Sequence, residues 1–272
     1  MWAGKKLGFI GGGNMGGALT KGVLKAGLLE PSSILIGDIS EKRLDFLARE
    51  YQVQTTESNT EVVKNCDVII LAVKPQVMAA VLEGIKDVVE DRHLLISIMA
   101  GVKLATISSV LSKEVPMIRV MPNTPALVLE GASAIACGAK ATEEHKELAL
   151  SIFSAVGEVV EVEEKLLDAV TGLSGSGPAY ILLVIEALTD GGVMAGLPRP
   201  VASKLAIQTT LGAAKLMAET GLHSAALKDQ ITSPGGTTIY GLEVLESGGA
   251  RGLLMQAVQT ATKRSEELGK KT

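Results

Sequence analysis

Gly11, Gly13 and Gly16 stand in the spacing G-x-G-x-x-G within Ile10-Gly11-Gly12-Gly13-Asn14-Met15-Gly16, directly after the apolar run Leu7 to Ile10 and before a helical pattern from Ala18 to Lys25. Each glycine has its own physical task. Gly11 permits a tight turn, Gly13 lets the backbone approach a pyrophosphate, and Gly16 lets the helix pack closely on the strand. The helix start behind them offers unpaired amides and the positive end of the helix dipole, which is chemistry for an anion. Asp38 closes the next apolar run, Ile34-Leu35-Ile36-Gly37. A carboxylate at that place accepts hydrogen bonds from an adenosine ribose and argues for NADH. Ser40, Lys42 and Arg43 follow it, either as holders of the 2′-phosphate of NADPH or as ordinary solvated charges, so both forms of NAD(P)H stay open.

Further along, Leu71-Ala72-Val73-Lys74-Pro75-Gln76 places a turn after the run Val68 to Ala72, at the strand ends where doubly wound sheets bind ligands. Lys74 is there either to face a cofactor or as an exposed loop lysine. Asn59 precedes a short helix, and its position favours a cap over a cofactor contact. Two more segments mix glycines with hydroxyls ahead of helices: Thr171-Gly172-Leu173-Ser174-Gly175-Ser176-Gly177-Pro178 and Thr232-Ser233-Pro234-Gly235-Gly236-Thr237-Thr238. Read as loops, each alone is an N-capping turn between helices or an anion nest, and finding both in one domain favours nests whose amides and hydroxyls could converge on one carboxylate without Arg or Lys.

Neither segment holds a histidine, a paired carboxylate or a cysteine, and His93, His145 and His223 all lie elsewhere. A protein acid or base is therefore not evident, which fits hydride reduction of a substrate that is already protonated, such as a cyclic iminium. Glu186 and Asp190 share a helical face, a spacing that suits ion pairs or caps better than catalysis.

These residues need a frame to hold them. From Leu7 to about Glu161, short β-branched runs alternate with amphipathic stretches, the pattern of a doubly wound parallel sheet. The expected strands are Leu7 to Ile10, Ile34 to Gly37, Val68 to Ala72, Leu94 to Ile98, Met117 to Met121, Ala134 to Ala136 and Val159 to Val162. After Glu163 the strand signal ends, and six Ala/Leu-rich helices are expected, with starts near Gly177-Pro178, Pro200, Ser224, Gly235 and Gly249. The fold class is thus α/β, a Rossmann-type domain over 1–163 followed by an all-helical domain over 164–272. So many small apolar residues leave helical faces that one small bundle cannot cover, which points to a partner subunit.

The 272 residues carry 26 Lys plus Arg against 30 Asp plus Glu, a net charge of −4 without the basic footprint of a nucleic-acid or anionic-membrane binder. With 47% hydrophobic but 3% aromatic residues, the core must be aliphatic. Cys66 and Cys137 are too few and too far apart for a metal motif, and Cys66 reads as a buried structural thiol, consistent with a reducing cytoplasm. The chain enters a strand at once, so no signal peptide is expected. Ala179 to Leu188, the longest apolar stretch, is closed by charges and glycines short of a bilayer span and reads as a buried helix.

As a set, Gly8-Phe9-Ile10-Gly11-Gly12-Gly13-Asn14-Met15, Ala72-Val73-Lys74-Pro75, Met121-Pro122-Asn123-Thr124-Pro125, Asp168 through Tyr180, Ser233-Pro234-Gly235-Gly236-Thr237-Thr238 and Leu245-Glu246-Ser247-Gly248-Gly249 resemble the pyrroline-5-carboxylate reductase family over nearly the whole chain. The resemblance implies reduction of L-1-pyrroline-5-carboxylate to L-proline by NAD(P)H, the last step of proline biosynthesis. It implies cofactor contacts at Ile10, Gly11, Gly12, Gly13, Asn14, Met15, Asn59, Ala72, Val73, Lys74, Pro75, Ile98, Met99 and Ala100, beside Asp38 as read from its place after the strand. Ser233, Gly235, Gly236, Thr237 and Thr238 would hold the substrate, with the Thr238 hydroxyl near the ring nitrogen as the catalytic group and Ser176 in support. The helical domain would form a homodimer, with further assembly to a decamer. Asp38 departs from the uncharged residue of several NADPH-preferring relatives.

Two other readings compete. A β-hydroxyacid dehydrogenase needs a lysine on the helix after its glycine-rich substrate loop, and Ala179 to Asp190 contains none. A cofactor-sensing protein would bind NAD(P)H without turnover, which the pair of carboxylate segments argues against.

Overall fold

The computed structural model describes residues 1–270, so Lys271 and Thr272, the end of the expected 164–272 domain, lie outside the described residues. The first half alternates strands and helices in the order β1 (Leu7–Ile10), α1 (Asn14–Lys25), β2 (Ile34–Gly37), α2 (Glu41–Tyr51), β3 (Gln54–Thr56), α3 (Asn59–Asn65), β4 (Val68–Leu71), α4 (Met78–Ile85), β5 (Leu94–Ser97), α5 (Leu104–Leu111), β6 (Met117–Met121), β7 (Gly131–Cys137), α6 (Glu143–Ser154) and β8 (Gly157–Glu161). The strands form one sheet in the order β3-β2-β1-β4-β5-β6-β7-β8. The chain reverses direction across the sheet next to β1, so the crevice at the carboxyl ends of β1 and β4 is the place where such a sheet binds a ligand.

Because β1, β2, β4 and β5 are buried on both faces, they read as unbroken apolar runs. Leu7, Phe9, Val68 and Ile70 point into a layer with Leu19 and Val23 of α1 and Phe153 of α6. Ile69, Leu71 and Leu95 point to the other face against Val62, Leu82 and Ile107 of α3, α4 and α5. This two-sided burial makes the sheet a rigid base for the loops at its edge.

Two strand expectations change. Gln54–Thr56 is a strand that hydrophobic patterning misses, because it is a short polar edge strand on β2. The sheet is also not wholly parallel, since β7 runs antiparallel to β6. Only a one-turn 3₁₀ helix, Thr124–Val128, lies between them, and a parallel crossover needs a dozen or more residues.

The second half contains α7 (Leu167–Val170), α8 (Gly177–Met194), α9 (Arg199–Thr220), α10 (Ser224–Ile231), α11 (Thr237–Ser247) and α12 (Ala250–Gly269). By packing, the chain falls into two compact units: Met1–Ser176 together with the segment from Thr260 onward, and Gly177–Gln259. Within the second unit α8 and α9 pack on each other, with Gly192 of α8 close against Ala202 of α9.

The expected loop at Thr171 to Gly177 is instead helical. Residues Thr171–Gly175 form a π-helical turn that joins α7 to α8. The Ser176 amide donates to the Thr171 carbonyl at 2.9 Å, and the Thr171 and Ser174 hydroxyls donate to Leu167 and Val170 carbonyls. The anion nest assigned to this segment is therefore withdrawn, because its donors serve the helix. The continuity also makes Glu164–Met194 a 31-residue helical stretch with an 18-residue window of mean hydropathy 1.2, long and apolar enough by length and composition to cross a membrane, contrary to expectation. Nor is its apolar part buried within the single chain: Leu182 and Leu183 are 64% and 66% exposed.

Candidate active site

The glycine turn leaves β1 with Gly11 at φ +104°, and a Cβ there would sit 2.6 Å from the Ala72 carbonyl oxygen. A Cβ on Gly16 would lie 2.5 Å from the Gly11 carbonyl oxygen. Both positions therefore require glycine on steric grounds. Gly13 differs, because a Cβ there meets no protein atom within 4 Å. It opens onto free space at the N-cap of α1, and no side chain caps that helix. The uncapped first-turn amides with open space beside Gly13 form a cradle that fits a diphosphate.

Register brings the other expected cofactor residues to the same edge. Ile10 pairs with Leu71 across β1 and β4, and Leu71 with Ser97 across β4 and β5. The Ala72 amide donates to the Ile10 carbonyl at 2.8 Å and the Ile98 amide to the Leu71 carbonyl at 3.2 Å. Gly11, Ala72 and Ile98 thus stand side by side at three consecutive strand ends, followed by Val73 and by buried Met99 and exposed Ala100. Lys74 is exposed at the start of a 3₁₀ turn in which Pro75 is the first residue.

Asn59 is not the cap that its position suggested. Ser58 is the N-cap, accepting from the Glu61 amide at 3.3 Å, and Asn59 is the first residue of α3. Its Oδ1 lies 3.3 Å from where a Cβ on Gly37 would be, at the end of β2 beside Asp38.

The Asp38 carboxylate is held by two backbone donors, the Gly12 amide to Oδ2 at 2.7 Å and the Ser40 amide to Oδ1 at 2.9 Å. Arg43 reaches back from α2 to the turn. Its Nε donates to the Gly12 carbonyl and its Nη2 to the Gly13 carbonyl at 3.0 Å, with the guanidinium over the Phe46 ring. Sequence reasoning left Arg43 as either a 2′-phosphate contact or a solvated charge and missed this bracing role, which depends on a distance across the α2–turn gap.

A cavity of about 200 Å³ lies next to Ala100 and Gly101, walled by Thr171 and Ser176 and by Ala261, Arg264, Ser265 and Leu268 of α12. Two expected site residues, Ala100 and Ser176, meet there. Thr171 opened the segment read as an anion nest, whereas Arg264 and Ser265 had no signal in the sequence, since α12 is far along the chain. Buried Asn123 anchors the π turn. Its Nδ2 donates to the Ser174 carbonyl at 3.0 Å and its Oδ1 accepts from the Ala132 amide at 2.8 Å. Pro178 carries no amide hydrogen, so the Ser174 carbonyl lacks its normal helical donor, and Asn123 fills that place.

In the second unit, Ser233-Pro234-Gly235-Gly236 forms a tight turn closed by the Gly236 amide on the Ser233 carbonyl at 3.0 Å. Gly235 has φ +67°, the conformation that a Pro-Gly pair adopts at the centre of a type II turn. α11 begins at Thr237 with Gly236 as an N-cap that has no side-chain partner, leaving its first amides as donors for an anion. Thr238 faces an apolar groove of about 480 Å³ lined by residues including Leu216, Leu227, Ile231 and Leu242.

The three histidines and Asp190 each make a structural hydrogen bond. His145 and Thr142 form a capping box on α6, His223 caps α10 by accepting from the Ala225 amide, and His93 accepts from the Glu90 amide. Asp190 pairs with Arg199 at 2.7 Å. Burial pushes the Cys66 thiol up to about 12, which removes it as a nucleophile.

A sheet with a glycine turn at its switch point, an uncapped helix behind that turn and a carboxylate at the end of the adjacent strand defines an NAD(P)-dependent oxidoreductase. Residues 6–101 match the family model "NADP oxidoreductase coenzyme F420-dependent", and residues 164–268 match "Pyrroline-5-carboxylate reductase dimerisation". The chain is 50% identical over 267 residues to a pyrroline-5-carboxylate reductase of Methanosarcina acetivorans, covering 98% of this chain and 99% of that protein. It is 48% identical to one of Arabidopsis thaliana, covering 97% and 95%. Its fold superposes on the structure of a pyrroline-5-carboxylate reductase from Coxiella burnetii with a TM-score of 0.93 at 39% identity, covering 97% of this chain and 98% of that one. A Plasmodium falciparum pyrroline carboxylate reductase with NADP bound gives 0.87 at 35%, covering 98% of both. The chain belongs to the pyrroline-5-carboxylate reductase family.

Proposed function

We propose that the turn Ile10 to Met15, together with Asp38, Asn59, Ala72 to Pro75 and Ile98 to Ala100, holds the cofactor, while Ser233, Gly235, Gly236, Thr237 and Thr238 hold the substrate. As a member of its family the chain is an NAD(P)H-dependent reductase of L-1-pyrroline-5-carboxylate that forms L-proline, the last step of proline biosynthesis. The observation that carries the residue assignment is the pair of uncapped helix starts, α1 behind the glycine turn and α11 behind the Ser233 turn, each offering amides to an anion. The first suits a diphosphate and the second a carboxylate.

When bound, the reduced nicotinamide supplies the hydride. The chain supplies binding and orientation: the α11 amides fix the substrate carboxylate, Thr238 orients the ring nitrogen by a hydrogen bond, and Ser176 lends a polar wall. With no histidine or carboxylate assigned to proton transfer, a substrate that enters as the iminium is the chemistry this set of donors serves.

Residues 164–272 act in this reading as the substrate and dimerisation domain and 1–163 as the cofactor domain. A second copy covering the apolar faces of α8 and α9 gives a homodimer, and dimers assemble further to a decamer. The exposed apolar side chains on both helices support that assembly over a membrane span, and a cytoplasmic location accords with two free thiols. The test is Thr238→Ala: kcat/KM for the imine should fall by about tenfold or more while the Kd for NAD(P)H stays unchanged. An unchanged kcat/KM removes Thr238 from the site.

A further inference from the structure

We propose that the adenosine end of the cofactor site selects NADH over NADPH through Asp38, and that Arg43 positions the glycine turn rather than reading a 2′-phosphate. The proposal rests on the reading that the turn binds a nicotinamide dinucleotide, and it concerns which one.

The Asp38 carboxylate cannot swing aside as a free surface acid, because Gly12 and Ser40 amides hold its two oxygens at 2.7 and 2.9 Å. Each oxygen keeps a lone pair for a ribose hydroxyl, which is a donor. A 2′-phosphate at the same place brings negative charge and, when fully ionised, no donor hydrogen. Relief would have to come from a cation paired with Asp38, and among the described residues Asp38 makes no ion pair.

Lys42 and Arg43 are the cations that follow Asp38 in sequence, and the position of Arg43 speaks against that role. Nε and Nη2 are spent on the Gly12 and Gly13 carbonyls, and the Phe46 ring supports the guanidinium at 5.0 Å. Two carbonyls of the turn are thereby tied to α2, while Asp38 ties the Gly12 amide to β2. The turn is braced from both sides, and the charge of Arg43 lies beside the diphosphate cradle common to both cofactors. Two like charges about 4 Å apart at a protein surface correspond to roughly one to three powers of ten in affinity, so the expected preference for NADH is about tenfold or more.

The experiment measures Kd for NADH and for NADPH by nicotinamide fluorescence on the full-length protein, its Asp38→Ser variant and its Arg43→Ala variant, with folding checked by thermal melting. The unmodified protein should bind NADH about tenfold or more tightly than NADPH, and Asp38→Ser should shrink that ratio by about tenfold or more. Asp38→Asn, which keeps the size and one acceptor, replaces it if the serine variant does not fold. Arg43→Ala should weaken both cofactors by a common factor and leave their ratio in place. NADPH binding as tightly as NADH, a ratio unmoved at position 38, or an Arg43→Ala loss confined to NADPH each overturns the proposal. Binding of neither cofactor to the unmodified protein overturns the underlying site assignment as well.

Discussion

Asn123 is a side chain whose removal should have an outsized effect. It is 8% exposed and joins two backbone groups, the Ser174 carbonyl at 3.0 Å and the Ala132 amide at 2.8 Å. Asn123→Ala deletes both bonds and leaves a buried donor and a buried acceptor. Each stranded group costs about 1–3 kcal/mol, so the expected loss is about 2–6 kcal/mol. At about 2–4 °C per kcal/mol for a unit of this size, the melting temperature should fall by about 4–24 °C. Calorimetry at fixed protein concentration reads this directly, since association would otherwise shift the transition. Asn123→Asp keeps an acceptor for Ala132 but sets a carboxylate against the Ser174 carbonyl, so it should rescue little. An aspartate variant as stable as the unmodified protein would refute the argument that Asn123 donates in place of the amide Pro178 lacks.

Two glycines of the turn should behave differently. Gly11→Ala meets the Ala72 carbonyl and a positive φ, so it should lower stability and weaken NAD(P)H binding by about one to two powers of ten. Gly13→Ala meets no protein atom, so it should melt normally yet lose cofactor affinity in a fluorescence titration. Burial holds the His93 imidazole below its usual range, so the unfolded chain takes up a proton first as pH falls below about 6.5, and stability should drop from there toward the lower native value. Denaturant melts of His93→Gln between pH 7 and 5 should show a shallower slope, with His145, shifted the same way by burial, accounting for part of the remainder. Cys66, 1% exposed and with its thiol pushed up to about 12, should resist iodoacetamide at pH 8 until the protein unfolds, as mass spectrometry of the labelled chain would show.

The features legible in the sequence are those that a short stretch of chain decides for itself. The glycine turn, the apolar strands and the Pro-Gly turn before α11 depend on local sterics and on burial that leaves a repeating pattern. Gln54–Thr56 was missed because an exposed edge strand has no apolar face to advertise it. Thr171 to Gly177 was misread because glycines and hydroxyls mark loops only when the backbone lacks a helical partner. Here the π turn and Asn123, more than forty residues away in sequence, supply those partners. Arg43 shows the same limit at the site: its residue type announces an anion reader, whereas its distance to the Gly12 and Gly13 carbonyls makes it a brace. Exposure of the Ala179 to Leu188 stretch was also beyond reach, because one chain's sequence does not state which surfaces a second copy covers.

The most direct test of the account follows the absorbance of reduced nicotinamide while purified protein is given L-1-pyrroline-5-carboxylate with NADH or NADPH, and assays proline at the end. The account predicts loss of absorbance that depends on the imine and yields one proline per cofactor oxidised. Tight cofactor binding with no imine-dependent oxidation would contradict it.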